Sequence, residues 1–440
     1  MLGWLLNLAY ACLLLLTAPL WLWRRRHGRY RRGGREKLWG TLPIRTDHDR
    51  PLLWLHAVSV GEVILLAPLI RALRDLHGDA QFLVTTSTDS GYDVACERLS
   101  DCVVSWLPLD FTWAVRNALH RVQPDMLVLA ELELWPNLIR EAHHRQIPLV
   151  LINARLSARS FNGYSRFRRL FADLLQRFQR IAAQTDSDAE RFRQLGAPCD
   201  TVVVTGSIKF DGVRTDRDNP QTARLRQLLR IAVDEQVLVA GSTQSPEEQE
   251  VLVAWEQLRP RHARLRLVLV PRHRERFDEV AALLTSRGHH FWRRSEMEAS
   301  AAPTSSPPSP IILVDTIGEL GAVWGLADVA YVGGSLTPGR GGQNMLEPSA
   351  YGAAVVVGPH TENFRQIVAT LNEADALITV ADAASLRTAL ANLIGSAERR
   401  TELGTAARRA VLNQQGATAR TAELLRLGHA TGDRQRSRAA

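Results

Sequence analysis

Glu62 stands where an apolar run hands over to a helix pattern, in "LHAVSVGEVILLAPLIRAL". A carboxylate there has two uses. In the first helical turn it is favoured by the dipole and caps free amides, with Ser59 ahead of it as a cap residue. At a ligand crevice it accepts the proton of an attacking hydroxyl. Gly61 beside it lets the backbone turn and a substrate approach closely. Glu131 and Glu133 alternate with leucine in "LVLAELELWPN", which sets both carboxylates on one face of an extended segment. A solvated edge strand carries the same pattern. Lys209 follows a strand pattern with Gly206 and Ser207 in "GSIKFD", as at an anion site. A surface lysine before a linker reads the same way.

The second half offers groups for binding an anion. "LVLVPRHRERF" sets Arg272, His273, Arg274 and Arg276 at a strand end, where they form a phosphate clamp unless they are a solvated face. "DTIGEL" also follows a strand pattern. In "VGGSLTPGRGGQNMLEP", Gly333, Gly334, Gly339, Gly341 and Gly342 precede a helix starting near Asn344, so loop amides and a helix N-terminus make a nest for an anion. The run is not GxxxxGK[ST], which excludes a triphosphate P-loop. Glu347 is placed to accept hydrogen bonds from a ribose or base. His360 reads as a loop histidine. No HExxH or CxxC appears, and "TDSD" at 185–188 reads as a helix start, so a metal site has little support.

These residues need elements to position them. After residue 50, "PLLWLHAV", "AQFLVTTST", "CVVSWLPLD", "DMLVLAELEL", "IPLVLINARL", "RIAAQTD" and "TVVVTGS" read as strands of a parallel sheet flanked by helices. A polar run, "DGVRTDRDNPQTA" (211–223), reads as a linker. "QVLVAGST", "LRLVLVPRH", "HHFWRR", "IILVDTIGEL", "DVAYVGGSL", "AAVVVGPH" and "ALITV" then give a second series of the same kind. "SEMEASAAPTSSPPSP" has the composition of a surface insertion, and the tail, 426–440, reads as frayed. The expected fold class is α/β, with two Rossmann-like domains over 51–210 and 224–425. Two such domains leave a cleft between the C-terminal edges of their sheets, and the loops named above all follow strands on those edges.

At 440 residues and 49.0 kDa, the chain is too long for one ordinary core. Its net charge of +8 points to an anionic partner: nucleic acid, nucleotide or membrane. Nucleic acid is the weakest of these, because the basic residues are not interleaved with an aromatic platform. Cys12, Cys96, Cys102 and Cys199 show no metal spacing and read as reduced, buried thiols. Leu2–Trp23 is 22 residues without a formal charge, enough to cross a hydrocarbon core of about 30 Å. "RRRHGRYRRGGREK" follows it. Charge after the span keeps the large C-terminal portion in the cytoplasm and suits anionic lipid headgroups. Residues 1–23 thus read as a transmembrane anchor and 24–50 as a basic juxtamembrane linker.

Nine motifs in order, "HAVSVGE", "ELELWPNLI", "NARLSARS", "GSIKFD", "LVPRHRERF", "DTIGELG", "ADVAYVGGSL", "GGQNMLEP" and "GPHTENF", resemble the 3-deoxy-D-manno-octulosonic acid (Kdo) transferases of Gram-negative bacteria. The resemblance covers the chain from its apolar N-terminal segment to about residue 420. It implies a GT-B fold, no metal or cofactor, CMP-Kdo as donor and a lipid A precursor of the lipid IVA type as acceptor, at the cytoplasmic face of the inner membrane. It puts the proton acceptor on Glu62 and transition-state stabilisation on Glu131 and Lys209. CMP contacts fall on Pro271, Arg272, Ile317, Gly318, Glu319, Asn344, Met345, Leu346 and Glu347. The N-terminal domain would take the acceptor and the C-terminal domain the nucleotide. Arg155, Arg159, Arg166, Arg168 and Arg169 then face headgroups and acceptor phosphates, or form a solvated helix face. A GT-B enzyme using a UDP-sugar and a tethered binding protein without turnover stay open beside this reading.

Overall fold

A computed structural model of the chain describes residues 7–8, 10–12, 15–18, 32–297 and 311–427. The chain divides into two compact units, the first running to Gly212 and taking in the chain again from Gln415, the second being Val213–Gln414.

The first unit is a parallel sheet of seven strands: β1 (Leu52–His56), β2 (Gln81–Thr86), β3 (Val103–Trp106), β4 (Met126–Ala130), β5 (Leu149–Ala154), β6 (Arg180–Ala183) and β7 (Val202–Val204), in the order β3-β2-β1-β4-β5-β6-β7. Its central strands β1, β4 and β5 are buried throughout and mostly apolar because helices cover both faces. Alternate residues of β1 serve opposite cores: Leu53 and Leu55 join one cluster, Leu52 and Trp54 the other. Helix Val60–His77 buries Val63, Leu66, Leu69, Ile70 and Leu73, a three-four spacing that puts one face on the sheet. From β1 the chain fills the sheet outward to β3, then restarts at β4 on β1's other side. The crossovers therefore leave in opposite directions at β1 and β4, and open a crevice at the C-terminal ends of those strands.

The second unit repeats the plan with β8 (Gln236–Thr243), β9 (Leu265–Pro271), β10 (Phe291–Arg293), β11 (Ile311–Leu313), β12 (Val329–Val332), β13 (Ala354–Val357) and β14 (Ile378–Thr379), ordered β10-β11-β9-β8-β12-β13-β14. Its crevice lies between β8 and β12. Every run marked as a strand from sequence forms one.

Several expectations change. The polar run 211–223 is not linker throughout: Asn219 accepts from the amides of Gln221 and Thr222 and caps a helix over Pro220–Leu228. The second unit ends at Gln414, not near 425. Helix Ala417–Leu424 belongs to the first unit, where Asp211 accepts from the Gly416 amide at 2.6 Å and His77 Nε2 meets the Leu425 carbonyl at 3.1 Å. The cysteines are free, but Cys12, Cys96 and Cys199 are exposed rather than buried. Most of the proposed span 2–23, and residues 298–310 of the insertion, lie outside the described residues. Among the described residues no helix is long and apolar enough to cross a membrane. Asn7 and Tyr10, within that span, bond to the first unit: Asn7 to Thr112 through both amide atoms at 2.7 and 3.1 Å, and the Tyr10 hydroxyl to Asp110 at 3.1 Å.

Candidate active site

In the first unit, the loop after β1 is held by Thr86 and Thr88, whose hydroxyls donate to the Val58 carbonyl at 3.0 and 2.9 Å. Ser59 caps the next helix by accepting from the Glu62 amide. Its hydroxyl donates back to Glu62 Oε1 at 2.8 Å, and the Val58 amide donates to Oε2 at 3.0 Å. Glu62 therefore ties down the start of its own helix, holding the Ser59 hydroxyl and the Val58 amide. Two donors leave its carboxylate with unused lone pairs for a substrate proton. Burial pushes this half-buried carboxyl above its ordinary range, and the charges of Glu131 and Glu133 add to that, against the two hydrogen bonds. Gly61 sits inside the helix without a positive φ, so no turn requires it.

Across the crevice, β4 ends in a turn rather than continuing extended. Glu131 adopts φ +54°, left-handed backbone that a non-glycine residue holds only under constraint. The two acidic side chains therefore part company. Glu131 Oε1 accepts from Lys209 Nζ at 3.0 Å, while Glu133 Oε2 accepts from Trp135 Nε1 at 2.8 Å. Lys209 rides on a 3-10 turn, Ile208–Phe210, fixed by buried Asn153: its Oδ1 accepts from the Ile208 amide at 3.3 Å and the Ser207 hydroxyl at 3.4 Å. Asn153, itself at φ +50°, was invisible in sequence because its partners lie some fifty residues away. So Glu62, Glu131 and Lys209 gather on one edge of one sheet. Arg159, Arg166, Arg168 and Arg169 are exposed and have no side-chain partners among the described residues.

In the second unit, Pro271 closes β9 in the core, and the Arg272 amide donates to the Thr243 carbonyl at the end of β8, 2.9 Å away. The Arg272 guanidinium is exposed and has no partner among the described residues. Arg276 leaves the expected clamp, being tied to Glu248 and, at 3.0 Å, to Glu279. After β11, Ile317 is 70% exposed and Gly318 takes φ +89°. Glu319 is already engaged by Thr316 and, at 2.7 Å, by Arg294. Asn344 Nδ2 donates to Glu347 Oε1 at 3.0 Å, and burial pushes the Glu347 carboxyl up. Met345 and Leu346 point into the core, which leaves only their backbone for a ligand. The loops after β11 and β12 meet: a Cβ on Gly321 would lie 3.6 Å from Glu347 Oε2.

The expected glycine nest is partly filled from inside. Fully buried Glu247 accepts from the amides of Gly334 (2.7 Å), Ser335 (3.0 Å) and Leu336 (3.0 Å) and from the Tyr331 hydroxyl at 2.9 Å. Those amides serve the protein. Gly339, Gly341 and Gly342, all at positive φ, shape the remainder of the loop.

The profile of 3-Deoxy-D-manno-octulosonic-acid transferase (kdotransferase) matches residues 22–212. The 3-deoxy-D-manno-octulosonic acid transferase of Haemophilus influenzae is 36% identical over 376 residues, covering 85% of this chain and 86% of that protein. This chain belongs to the Kdo transferase family. The Bordetella pertussis member is 35% identical over 425 residues, 93% of this chain and 96% of its own. In fold the chain also resembles a glycosyltransferase of Rickettsia africae, with a TM-score of 0.54 over 86% of this chain and 98% of that one; at 10% identity this is a likeness of architecture alone. As a Kdo transferase the chain is an enzyme, and its architecture of two parallel-sheet α/β units is of the GT-B kind.

Proposed function

We propose that the enzyme transfers Kdo from CMP-Kdo to a sugar hydroxyl of a lipid A precursor in lipopolysaccharide core synthesis, with inversion and without a metal ion. Glu62 takes the proton of that hydroxyl while its oxygen bonds to the anomeric carbon of Kdo. The bond from that carbon to the CMP oxygen breaks, and its electron pair leaves with CMP. The ion pair of Glu131 with Lys209 stabilises charge on the reacting groups. Pro271, Arg272, Ile317, Gly318, Glu319, Asn344, Met345, Leu346 and Glu347 hold CMP, the arginine as its free cation and Met345 and Leu346 through their backbone. Exposed arginines between 155 and 169 suit the acceptor's phosphates.

The observation that carries this reading is Glu62 at the switch point of the first sheet, half-buried and with acceptor capacity to spare. A base must be ionised, so turnover falls on the acid side as Glu62 takes up a proton, at a pH above the ordinary carboxylate range. Glu62→Gln cannot take that proton and keeps one capping oxygen. We expect CMP release from CMP-Kdo with lipid acceptor to drop on the order of a hundredfold or more. Calorimetric CMP affinity should hold. A variant keeping more than about a tenth of turnover would remove Glu62 as base.

The same proposal includes attachment to the inner membrane through the uncharged segment 2–23, with the enzyme cytoplasmic. Asn7 and Tyr10 are bonded to the first unit, so a full crossing requires those bonds to open. Carbonate extraction combined with accessibility of an N-terminal tag checks it; an extractable protein would refute a spanning anchor.

A further inference from the structure

His56 closes β1 just ahead of the loop that carries Glu62, and its side chain is fully buried. Its Nδ1 lies 2.9 Å from the Thr85 carbonyl oxygen and 3.2 Å from Thr85 Oγ1. The carbonyl can only accept. Thr85 Oγ1 accepts from Trp54 Nε1 at 2.8 Å and turns its own proton toward the Leu55 carbonyl, 3.5 Å away. Nδ1 therefore carries a hydrogen, and in a neutral ring Nε2 is a bare lone pair. That atom is buried without a hydrogen-bond partner and faces Glu133 Oε2 across 3.7 Å. A lone pair aimed at a carboxylate is repulsive, and leaving such a group unpaired in the interior is costly. A proton on Nε2 would replace that repulsion with attraction, as an ion pair longer than a hydrogen bond.

We propose that His56 is a positioning residue for the transfer, presenting a proton on Nε2 to Glu133 that offsets this carboxylate's charge and holds the Glu131–Trp135 loop beside Glu62. The inference rests on the reading of Glu62 as the base. Trp135 Nε1 donates to the same Glu133 oxygen, so the carboxylate that faces His56 also braces the loop from within. The acidic charges that bear on Glu62 are those of Glu131 and Glu133. Lys209 offsets the first and the proton on His56 the second. Two neighbouring carboxylates are thereby quieted by different partners, and Glu62 is left to change charge during turnover. Full burial keeps His56 from the substrate; it acts through Glu133.

His56→Asn keeps a donor toward the Thr85 carbonyl and removes Nε2. Glu133 then stands as an uncompensated carboxylate, and its charge opposes ionisation of Glu62. The acid limb of the kcat/KM profile should move to higher pH, on the order of one unit. Turnover at neutral pH should fall roughly tenfold through misplacement of the loop, with CMP affinity unchanged. Adding Glu133→Gln removes the offending charge and should bring the limb back toward the wild-type position. A purely structural His56 predicts an unmoved limb, or a double variant no better than the single; either result overturns the proposal. Selective 15N-histidine labelling of the full chain reads the pair even if His56→Asn fails to fold. We expect a protonated Nδ1 at neutral pH and an Nε2 resonance that moves on Glu133→Gln. A bare Nδ1, or an Nε2 indifferent to Glu133→Gln, overturns the proposal. A wild-type chain that releases no CMP from CMP-Kdo with acceptor would defeat the transfer reading instead, while the nitrogen spectrum would still report on the pair.

Discussion

At the switch point of the first sheet stand charged side chains that already have partners: Glu62 with Ser59 and Val58, Glu131 with Lys209, Glu133 with Trp135. At the corresponding place in the second sheet stand glycines at positive φ, core-facing Met345 and Leu346, and the exposed guanidinium of Arg272, unpartnered among the described residues. The two units share a fold plan and differ in what their loops are made of. Preset charges suit reacting atoms, because a field oriented in advance needs no rearrangement as charge develops. Glycine loop amides and an exposed cation suit a nucleotide phosphate that arrives and leaves. If this contrast is right, changes in the first unit should act on turnover and changes in the second on binding.

After Glu62, Lys209 gives the strongest way to break that division. Lys209→Ala leaves Glu131 as a lone carboxylate in a turn that already holds φ +54°. Turnover should fall roughly tenfold to a hundredfold, and the acid limb should move up, because an uncompensated Glu131 opposes ionisation of Glu62. CMP affinity by calorimetry should not change. Wild-type turnover in this variant would place the pair outside the chemistry, and a matching loss of CMP affinity would erase the division between units.

Arg272 tests the other side. Its guanidinium holds no structural bond among the described residues, so Arg272→Ala should leave the ligand-free melting temperature alone. Losing one charge-assisted bond to phosphate should weaken CMP about tenfold, with little change in turnover at saturating donor. An unchanged calorimetric affinity would remove Arg272 from the nucleotide site. Arg276, tied to Glu248 and Glu279, should show the reverse: lower stability with affinity kept.

The strands were legible because parallel strands buried on both faces are short, mostly apolar runs that alternate with helix patterns. The positions of Glu62 and Lys209 were legible too, since each follows such a strand. What escaped were features made by residues distant in sequence. The turn at Glu131 breaks an alternation that suggested an extended segment, and its partner Lys209 lies in another loop. Glu247 occupies part of the glycine loop from a helix far upstream, so a glycine-rich run looked more open than it is. The return of Ala417–Leu424 to the first unit depends on Asp211 receiving the Gly416 and Thr418 amides, which no local pattern announces. His56 looked like one more strand residue. Only the fold shows the carboxylate in front of it.

The smallest effect on turnover is expected at Asp110, and it asks whether the first unit's preset charges extend beyond the crevice. Asp110 is buried, and its oxygens accept from the amides of Asn137 and Leu138 at 2.8 Å each, so it caps helix Pro136–His144 directly after the Glu131–Trp135 loop. Burial pushes its carboxyl up to about 7, although those amides and the Tyr10 hydroxyl act to lower it. In the unfolded chain the group titrates near 4. Between those values the folded chain keeps a proton that the unfolded chain has lost, so the contribution is complete below about 4 and fades as pH rises through about 7. Asp110→Asn cannot ionise. By scanning calorimetry the wild type should lose on the order of 5 °C in the first unit's transition from pH 5 to pH 8 through this group. The variant should start lower, having lost one acceptor, and run flatter across the same interval. Parallel slopes for the two proteins would mean that Asp110 stays ionised where it is buried, with its three donors outweighing its desolvation, and that the helix behind the loop is held by charge rather than by a proton.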